Sequence, residues 1–436
     1  SNFSMLSINE TPSILNNSLT VCSGESFSFS PVNGVPSAAN IVPAGTTYSW
    51  SAPIVTGGMT GGTAQSGQAV ISDVLVNNTS SVQTATYTIT PLVGTCPGNT
   101  FELVISVNPE PYVNNAIQYV CSGDNFNFLP SNGSGNIVPM GATFSWGLPT
   151  TSGGITGASA QNNASSFSQT LTNTTNGVKT ATYNITVNYG TCIGNTFTVT
   201  LFINPKPIVS AVPVTQSICS GNNITNVALS TVFVVSEEVE YHWTRDNTTN
   251  IIGMVSNGEG TIISGALTNT TNTPQTTTFT VIATTEEGCN SDSYLVTVLV
   301  NPSITVSATP SNQTICSGST INTILMSNPN NVSGVTYSWT RNNTANLTGI
   351  PNNGTGDTIA GIITNNTNTV QSTTFTITAT ANGCQTIINN VTITVNPKPT
   401  ISGAPSTQTL CGGNSITPIV LSSGSGISGT TFSWTR

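Results

Sequence analysis

Thr46-Thr47-Tyr48-Ser49-Trp50 decides the reading of this chain, because the same phrase returns four more times. Its copies end at Trp146, Trp243, Trp339 and Trp434, spaced 95 to 97 residues apart, each two positions after an aromatic (Phe144, Tyr241, Tyr337, Phe432). Alternation of apolar and polar residues marks a half-buried strand, with Tyr48 and Trp50 on one face. A tryptophan that recurs once per repeat in such a strand is a core residue, so Trp50, Trp146, Trp243, Trp339 and Trp434 are assigned to five cores.

Two further markers keep the same beat. Leu75, Leu171, Leu267 and Ile363 open Leu/Ile-x-Asn-x-Thr, and Tyr87, Tyr183, Phe279 and Phe375 come next, each set at intervals of 96. Internal repetition on this scale means a tandem array. In the first complete copy, Ser26–Phe29, Thr46–Trp50, Ala69–Val76, Thr84–Ile89 and Phe101–Val107 read as strands between Gly, Pro and Asn turns, and no stretch has helical periodicity. The fold class expected is all-β: a tandem array of immunoglobulin-like β-sandwich repeats with a period of about 96 residues.

The boundaries fall at Asn-Pro pairs. Residues 1–11 read as the last strand of a preceding repeat and its linker. Complete repeats occupy 12–109, 110–205, 206–302 and 303–397, and 398–436 is the first half of a fifth. Both ends thus interrupt a domain, and the polypeptide is expected to continue in both directions. Prolines in Asn108-Pro109-Glu110-Pro111, Asn204-Pro205-Lys206-Pro207, Asn301-Pro302 and Asn396-Pro397-Lys398-Pro399 favour short, semi-rigid junctions. The array is therefore expected to form an elongated rod, on the order of 150–200 Å long at the rise of a β-strand.

Nine cysteines keep time with the repeat. Cys22, Cys121, Cys219, Cys316 and Cys411 each open a Cys-Ser/Gly-Gly turn, and Cys96, Cys192, Cys289 and Cys384 lie late in their copies. With no CxxC and one histidine, His242, a disulfide framework is favoured over a metal site, and hence an oxidising compartment. Pairing within each repeat is expected: Cys22–Cys96, Cys121–Cys192, Cys219–Cys289 and Cys316–Cys384, with Cys411 left over. Each closed loop near 70 residues contributes about 4 kcal/mol on the chain-entropy account.

Composition excludes more than it suggests. Only 5% of the 436 residues are charged, against about 25% in ordinary soluble domains. Six Lys+Arg under a net charge of −9 cannot line a phosphate backbone, so no nucleic-acid partner is expected. No apolar run reaches the length of a membrane span, so no direct membrane insertion is expected. His242 takes a slot held elsewhere by serine and is expected to face solvent, and without a second histidine no nucleophilic triad can be assembled. Glu237, Glu238, Glu240, Glu286 and Glu287 are the densest charge and read as solvated turns. The linkers hold one acidic residue, Glu110, too few for calcium junctions. No cofactor and no enzymatic activity are expected. At Tyr87 and its counterparts packing is the reading, because Phe279 and Phe375 have no hydroxyl. The many Asn-x-Ser/Thr triplets are treated as a by-product of composition.

Cys-Ser-Gly, aromatic-x-Trp, Leu-x-Asn-x-Thr, Gly-x-Cys and Val-Asn-Pro-x-Pro together resemble the PKD-like repeats of giant surface proteins of the Bacteroidota. The likeness covers the whole chain but departs after the tryptophan, where Ser51-Ala52-Pro53 or Thr244-Arg245-Asp246 replaces an acidic, glycine-rich phrase. It implies export by the type IX secretion machinery, display on the outer cell surface, and a stalk role in adhesion or gliding, with extracellular surfaces or polysaccharide bound through regions outside this segment. A second reading makes the repeats themselves bind polysaccharide or neighbouring filaments. The resemblance also marks Thr358, in Asp357-Thr358-Ile359, as a possible O-glycan acceptor.

Overall fold

Threonine alternating with apolar residues builds the backbone of every repeat. In Gln83–Val93, Ala85, Tyr87, Ile89 and Val93 are buried while the intervening threonines face outward. In Gln371–Ala381, Thr373, Phe375, Ile377, Ala379 and Ala381 point inward in the same way. The computed structural model describes residues 10–232 and 238–436, and within them there are strands, turns and no helix. The strand expected at the start of residues 1–11 and the carboxylate of Glu237 lie outside the described residues.

The chain divides into two compact units, one built mainly from residues up to Pro207 and the other from Ile208 onward. The first unit holds two repeats, each with its own apolar core. In the first repeat the larger sheet runs Asn17–Cys22, Phe101–Asn108, Gln83–Val93, Thr47–Trp50, Gln65–Gln68. The smaller runs Ser26–Phe29, Ile71–Val76, Thr60–Gly61. The second repeat has the same order in its larger sheet. The second unit holds two more repeats of that larger sheet, Thr215–Cys219, Tyr294–Asn301, Gln275–Thr285, Val239–Arg245, Asn257–Glu259, and its equivalent in the next copy. Here the smaller sheet gains a leading strand, Val209–Val212 or Ser307–Thr309. The cis bonds before Pro213 and Pro310 stand where the chain then crosses to the larger sheet.

One register decides which cysteines can meet. The first strand of the larger sheet lies parallel to the last, with Cys22 opposite Asn108, Cys121 opposite Asn204, Cys219 opposite Asn301 and Cys316 opposite Asn396. The first cysteine of each repeat therefore sits where that repeat ends. The second cysteine sits at the other end of the same strand, which in the fourth repeat runs unbroken as Cys384–Asn396. Twelve residues of strand separate the two positions by about 40 Å. A disulfide needs Cα atoms within about 7 Å.

Pairing within a repeat is thus geometrically closed, and the expected bridges Cys22–Cys96, Cys121–Cys192, Cys219–Cys289 and Cys316–Cys384 are not formed. The observed ones are Cys22–Cys192, Cys121–Cys289 and Cys219–Cys384, with Cα–Cα distances of 5.5, 5.5 and 5.7 Å. Each joins the first cysteine of one repeat to the second cysteine of the next. Cys96, Cys316 and Cys411 carry free thiols.

Trp434 corrects a second expectation. Its four counterparts are 6–7% exposed, but Trp434 is 79% exposed. Trp339 is covered by Gln371–Ala381, and residues 398–436 include no equivalent strand; they contribute one strand pair, Ile401–Ala404 with Val420–Ser423.

Candidate functional site

Two motifs that lie about 50 residues apart in sequence meet at the end of each repeat. In Cys22-Ser23-Gly24, the Ser23 backbone N–H donates to Asn108 O and that of Gly24 to Leu75 O. Gly24 has φ +78°, a conformation costly for residues with a Cβ. The Ser23 hydroxyl oxygen accepts from the backbone N–H of Asn77 at 2.9 Å. Asn77 is 2% exposed and every polar atom of its side chain is used. Its amide donates to Ser81 O and Val107 O, and its oxygen accepts from the backbone N–H and hydroxyl of Thr79.

The same clamp forms around Asn173, Asn269 and Asn365, whose backbone N–H groups donate to Ser122, Ser220 and Ser317. Their amides donate to Ile203 O, Val300 O and Val395 O. A buried amide is stable only when its hydrogen bonds are made, and here they tie three segments of the repeat together beside its first cysteine. The clamp accounts for both the Leu-x-Asn-x-Thr and the Cys-Ser-Gly spacings. It also removes these four asparagines as glycan acceptors in the folded state.

At the opposite end, Gly98 and Gly194 lie against Pro12 and Pro111. A Cβ at either glycine would stand 2.1 or 2.0 Å from the proline carbonyl oxygen. The second cysteines of the later repeats are well covered: Cys192, Cys289 and Cys384 are 1%, 0% and 4% exposed. Within the first unit, Lys206 of the Asn-Pro-Lys-Pro junction pairs with Asp124 of the Cys-Ser-Gly-Asp turn at 2.7 Å. Both groups are partly exposed, so this pair is worth at most about 1 kcal/mol. Within the second unit, Asn301 donates to Ser217 Oγ and to Asn382 O, two residues before Cys384.

The tryptophan side of the sandwich differs between the two units. Trp50 and Trp146 donate from Nε1 to Thr63 O and Ser159 O, both at 3.0 Å. Asp73 and Gln169 hold those loops through the backbone N–H of Thr63 and Ser159. The same side chains accept from the hydroxyls of Tyr87 and Tyr183, at 3.2 and 3.0 Å. Packing alone therefore does not account for these tyrosines. Burial raises the Tyr183 phenol to about 12; burial and the Asp73 carboxylate push Tyr87 up as well.

In the second unit Gly265 and Gly361 replace Asp73 and Gln169, and phenylalanine replaces tyrosine. The loops are held instead by Arg245 and Arg341, 6% and 7% exposed. Arg245 donates to the carbonyls of Asp246, Ile251, Met254 and Val255. Arg341 donates to those of Leu347, Ile350 and Pro351. Burial lowers the pKa of both guanidiniums. Among the described residues Nε1 of Trp243 and of Trp339 has no partner. Gly258 and Gly354 pass directly over these indoles, where a Cβ would lie 2.3 and 2.4 Å from the ring.

The remaining sequence candidates lie at the surface. His242 is exposed, 3.4 Å from Glu259 and 3.8 Å from Glu240. Glu238, Glu286 and Glu287 are exposed. Thr358 is exposed on Thr358–Ile359, paired with Ile324 and Leu325. Among the described residues no three His, Cys, Asp or Glu side chains cluster as a metal site. An open groove beside Trp50 is lined by Ser49, Gln65, Gln68, Thr88 and Thr90, but the indole beneath it is only 6% exposed and offers no platform for a sugar.

The sequence matches the PKD-like domain four times, over residues 19–111, 118–207, 216–304 and 313–399. No curated protein matches it. Solved structures that the chain matches include the human desmocollin-1 ectodomain (10% identity, 88% of this chain and 81% of that one, TM-score 0.26). Sidekick-1 immunoglobulin domains 1–4 share 11% identity over 90% and 98% of the two chains, with a TM-score of 0.24. Drosophila N-cadherin EC1–4 shares 12% over 88% and 100%, with a TM-score of 0.25. At such scores the whole chains do not superpose.

Proposed function

The chain belongs to the PKD-like domain family, and from that premise we propose that it is a structural segment of a secreted cell-surface adhesin, a stalk that holds a distal adhesive region away from the cell. The observation that carries this reading is the bridging of successive repeats by disulfides, which links each repeat covalently to the next. Such bridges persist outside the reducing cytosol, which supports an extracellular place of work. The low charge and the buried indoles leave the repeat faces with little to grip a ligand by.

The finer reading, a flavobacterial gliding-motility adhesin exported by the type IX secretion machinery, rests on the sequence resemblance. So does an O-glycan on Thr358, which intact-mass measurement of the native protein against its Thr358→Ala variant would detect. The main test is deletion of residues 110–302 from the full-length surface protein. A stalk so shortened keeps ligand binding in solution but loses cell attachment at a distance. Unchanged attachment, or saturable binding of the isolated repeats on a polysaccharide array, would replace the stalk by a binding surface.

A further inference from the structure

Cysteine connectivity sets how far this chain can be drawn out, and it does so whatever the chain carries. Traced covalently from Cys22, the shortest route forward crosses the bridge to Cys192, follows the backbone to Cys219, and crosses the next bridge to Cys384. Those bridges span 170 and 165 residues. The backbone left between them is about 27 residues, on the order of 95 Å fully drawn out. Much of it is already β-strand, Cys192–Asn204 and Thr215–Cys219. A strand rises about 3.3 Å per residue against a limit near 3.6 Å, so little slack remains in those stretches.

We infer that the inter-repeat disulfides form a covalent bypass that carries tension past the sandwiches, so that the chain resists unravelling under load even when individual repeats unfold. The two bridges on this route hide about 335 residues, on the order of 1,100 Å of contour length. Cys121–Cys289 lies off the route and opens a second, interleaved one. It takes over when the first is cut: a path from Cys22 to Cys121, across to Cys289, back along the backbone to Cys219 and across to Cys384 releases only about two fifths of the hidden length. Bridges within each repeat behave differently. They close separate loops in series, and cutting any of them lengthens the chain.

The test is single-molecule stretching of the whole 436-residue chain between handles on its two ends, in denaturant so that contour length alone is read. Reduction of the wild-type chain with a phosphine should add on the order of 1,100 Å. Loss of Cys22–Cys192 in the Cys22→Ser/Cys192→Ser variant should add roughly 480 Å, and Cys121→Ser/Cys289→Ser should add nothing. In-place reduction of wild type needs no variant to fold. An oxidised wild-type chain as long as the reduced one, or a lengthening of several hundred ångströms in Cys121→Ser/Cys289→Ser, overturns the bypass.

Discussion

The repeats of the first unit and those of the second share a strand order, a tryptophan and an asparagine clamp, yet they hold the loop beside the tryptophan by opposite means. In the first unit a side chain on the facing strand, Asp73 or Gln169, reaches the loop backbone and accepts a tyrosine hydroxyl on the way. In the second that position is glycine, the hydroxyl is gone, and an arginine two residues after the tryptophan donates into the loop's carbonyls. Acceptor and hydroxyl leave together as the guanidinium arrives, because each alone would strand a buried polar group. One sandwich thus admits two polar solutions at one place. The clamp at the cysteine end has one solution in all four copies.

The largest break in the comparison should come from Arg341→Ala, which leaves several loop carbonyls without a donor. A loss of about 3–5 kcal/mol is expected, confined to the fourth repeat and read by hydrogen exchange of its peptides. The conservative Arg341→Lys should rescue little, since an ammonium cannot fan out to the same carbonyls. Protection close to that of wild type would mean that the loop holds itself.

Asn173→Ala and Asn269→Ala test the shared end. Each should cost about 2–4 kcal/mol, and by similar amounts in the two units, measured as the shift in urea midpoint of the affected repeat. Unequal costs would show that the clamp also diverges. Gly354→Ala presses a methyl into the face of Trp339 and should cost about 1–3 kcal/mol, with a change in tryptophan fluorescence; Gly147→Ala, whose Cβ meets nothing within 4 Å, should be near neutral.

The smallest effect is the hydroxyl itself. Tyr183→Phe should cost about 1 kcal/mol, because Gln169 keeps its bond to Ser159. The pH dependence sharpens it. An unfolded tyrosine ionises near 10 and folded Tyr183 near 12, so the stability tied to the neutral phenol is full below pH 10 and fades as pH rises through 12. The first two repeats should therefore lose hydrogen-exchange protection at alkaline pH before the last two, which have phenylalanine at this place. Tyr183→Phe should remove part of that difference.

Much of this was legible in the residues. Alternation along Thr84–Ile89 and Phe101–Val107 placed the central hairpin, and the 96-residue beat located the cores of four repeats. The polar networks were only half legible. Leu-x-Asn-x-Thr was visible as a marker, but its partner, the Cys-Ser-Gly serine, comes about 50 residues earlier and meets it only across the sandwich. The tyrosine hydroxyl was set aside because Phe279 and Phe375 lack one; the paired change from Asp73 and Gln169 to Gly265 and Gly361 was the signal that would have kept it.

What the sequence determined by itself was the unit: its length, its strands, its apolar face and the two heights at which cysteine recurs. Which sulfur meets which it left open, since every copy offers the same two local environments and a periodic string reads alike whether partners lie in one copy or in neighbours. The tertiary structure decided that point through a single register. A first strand running parallel to the last carries its cysteine to the far end of the sheet, about 40 Å from the second cysteine of its own repeat. There the second cysteine of the following copy is within reach.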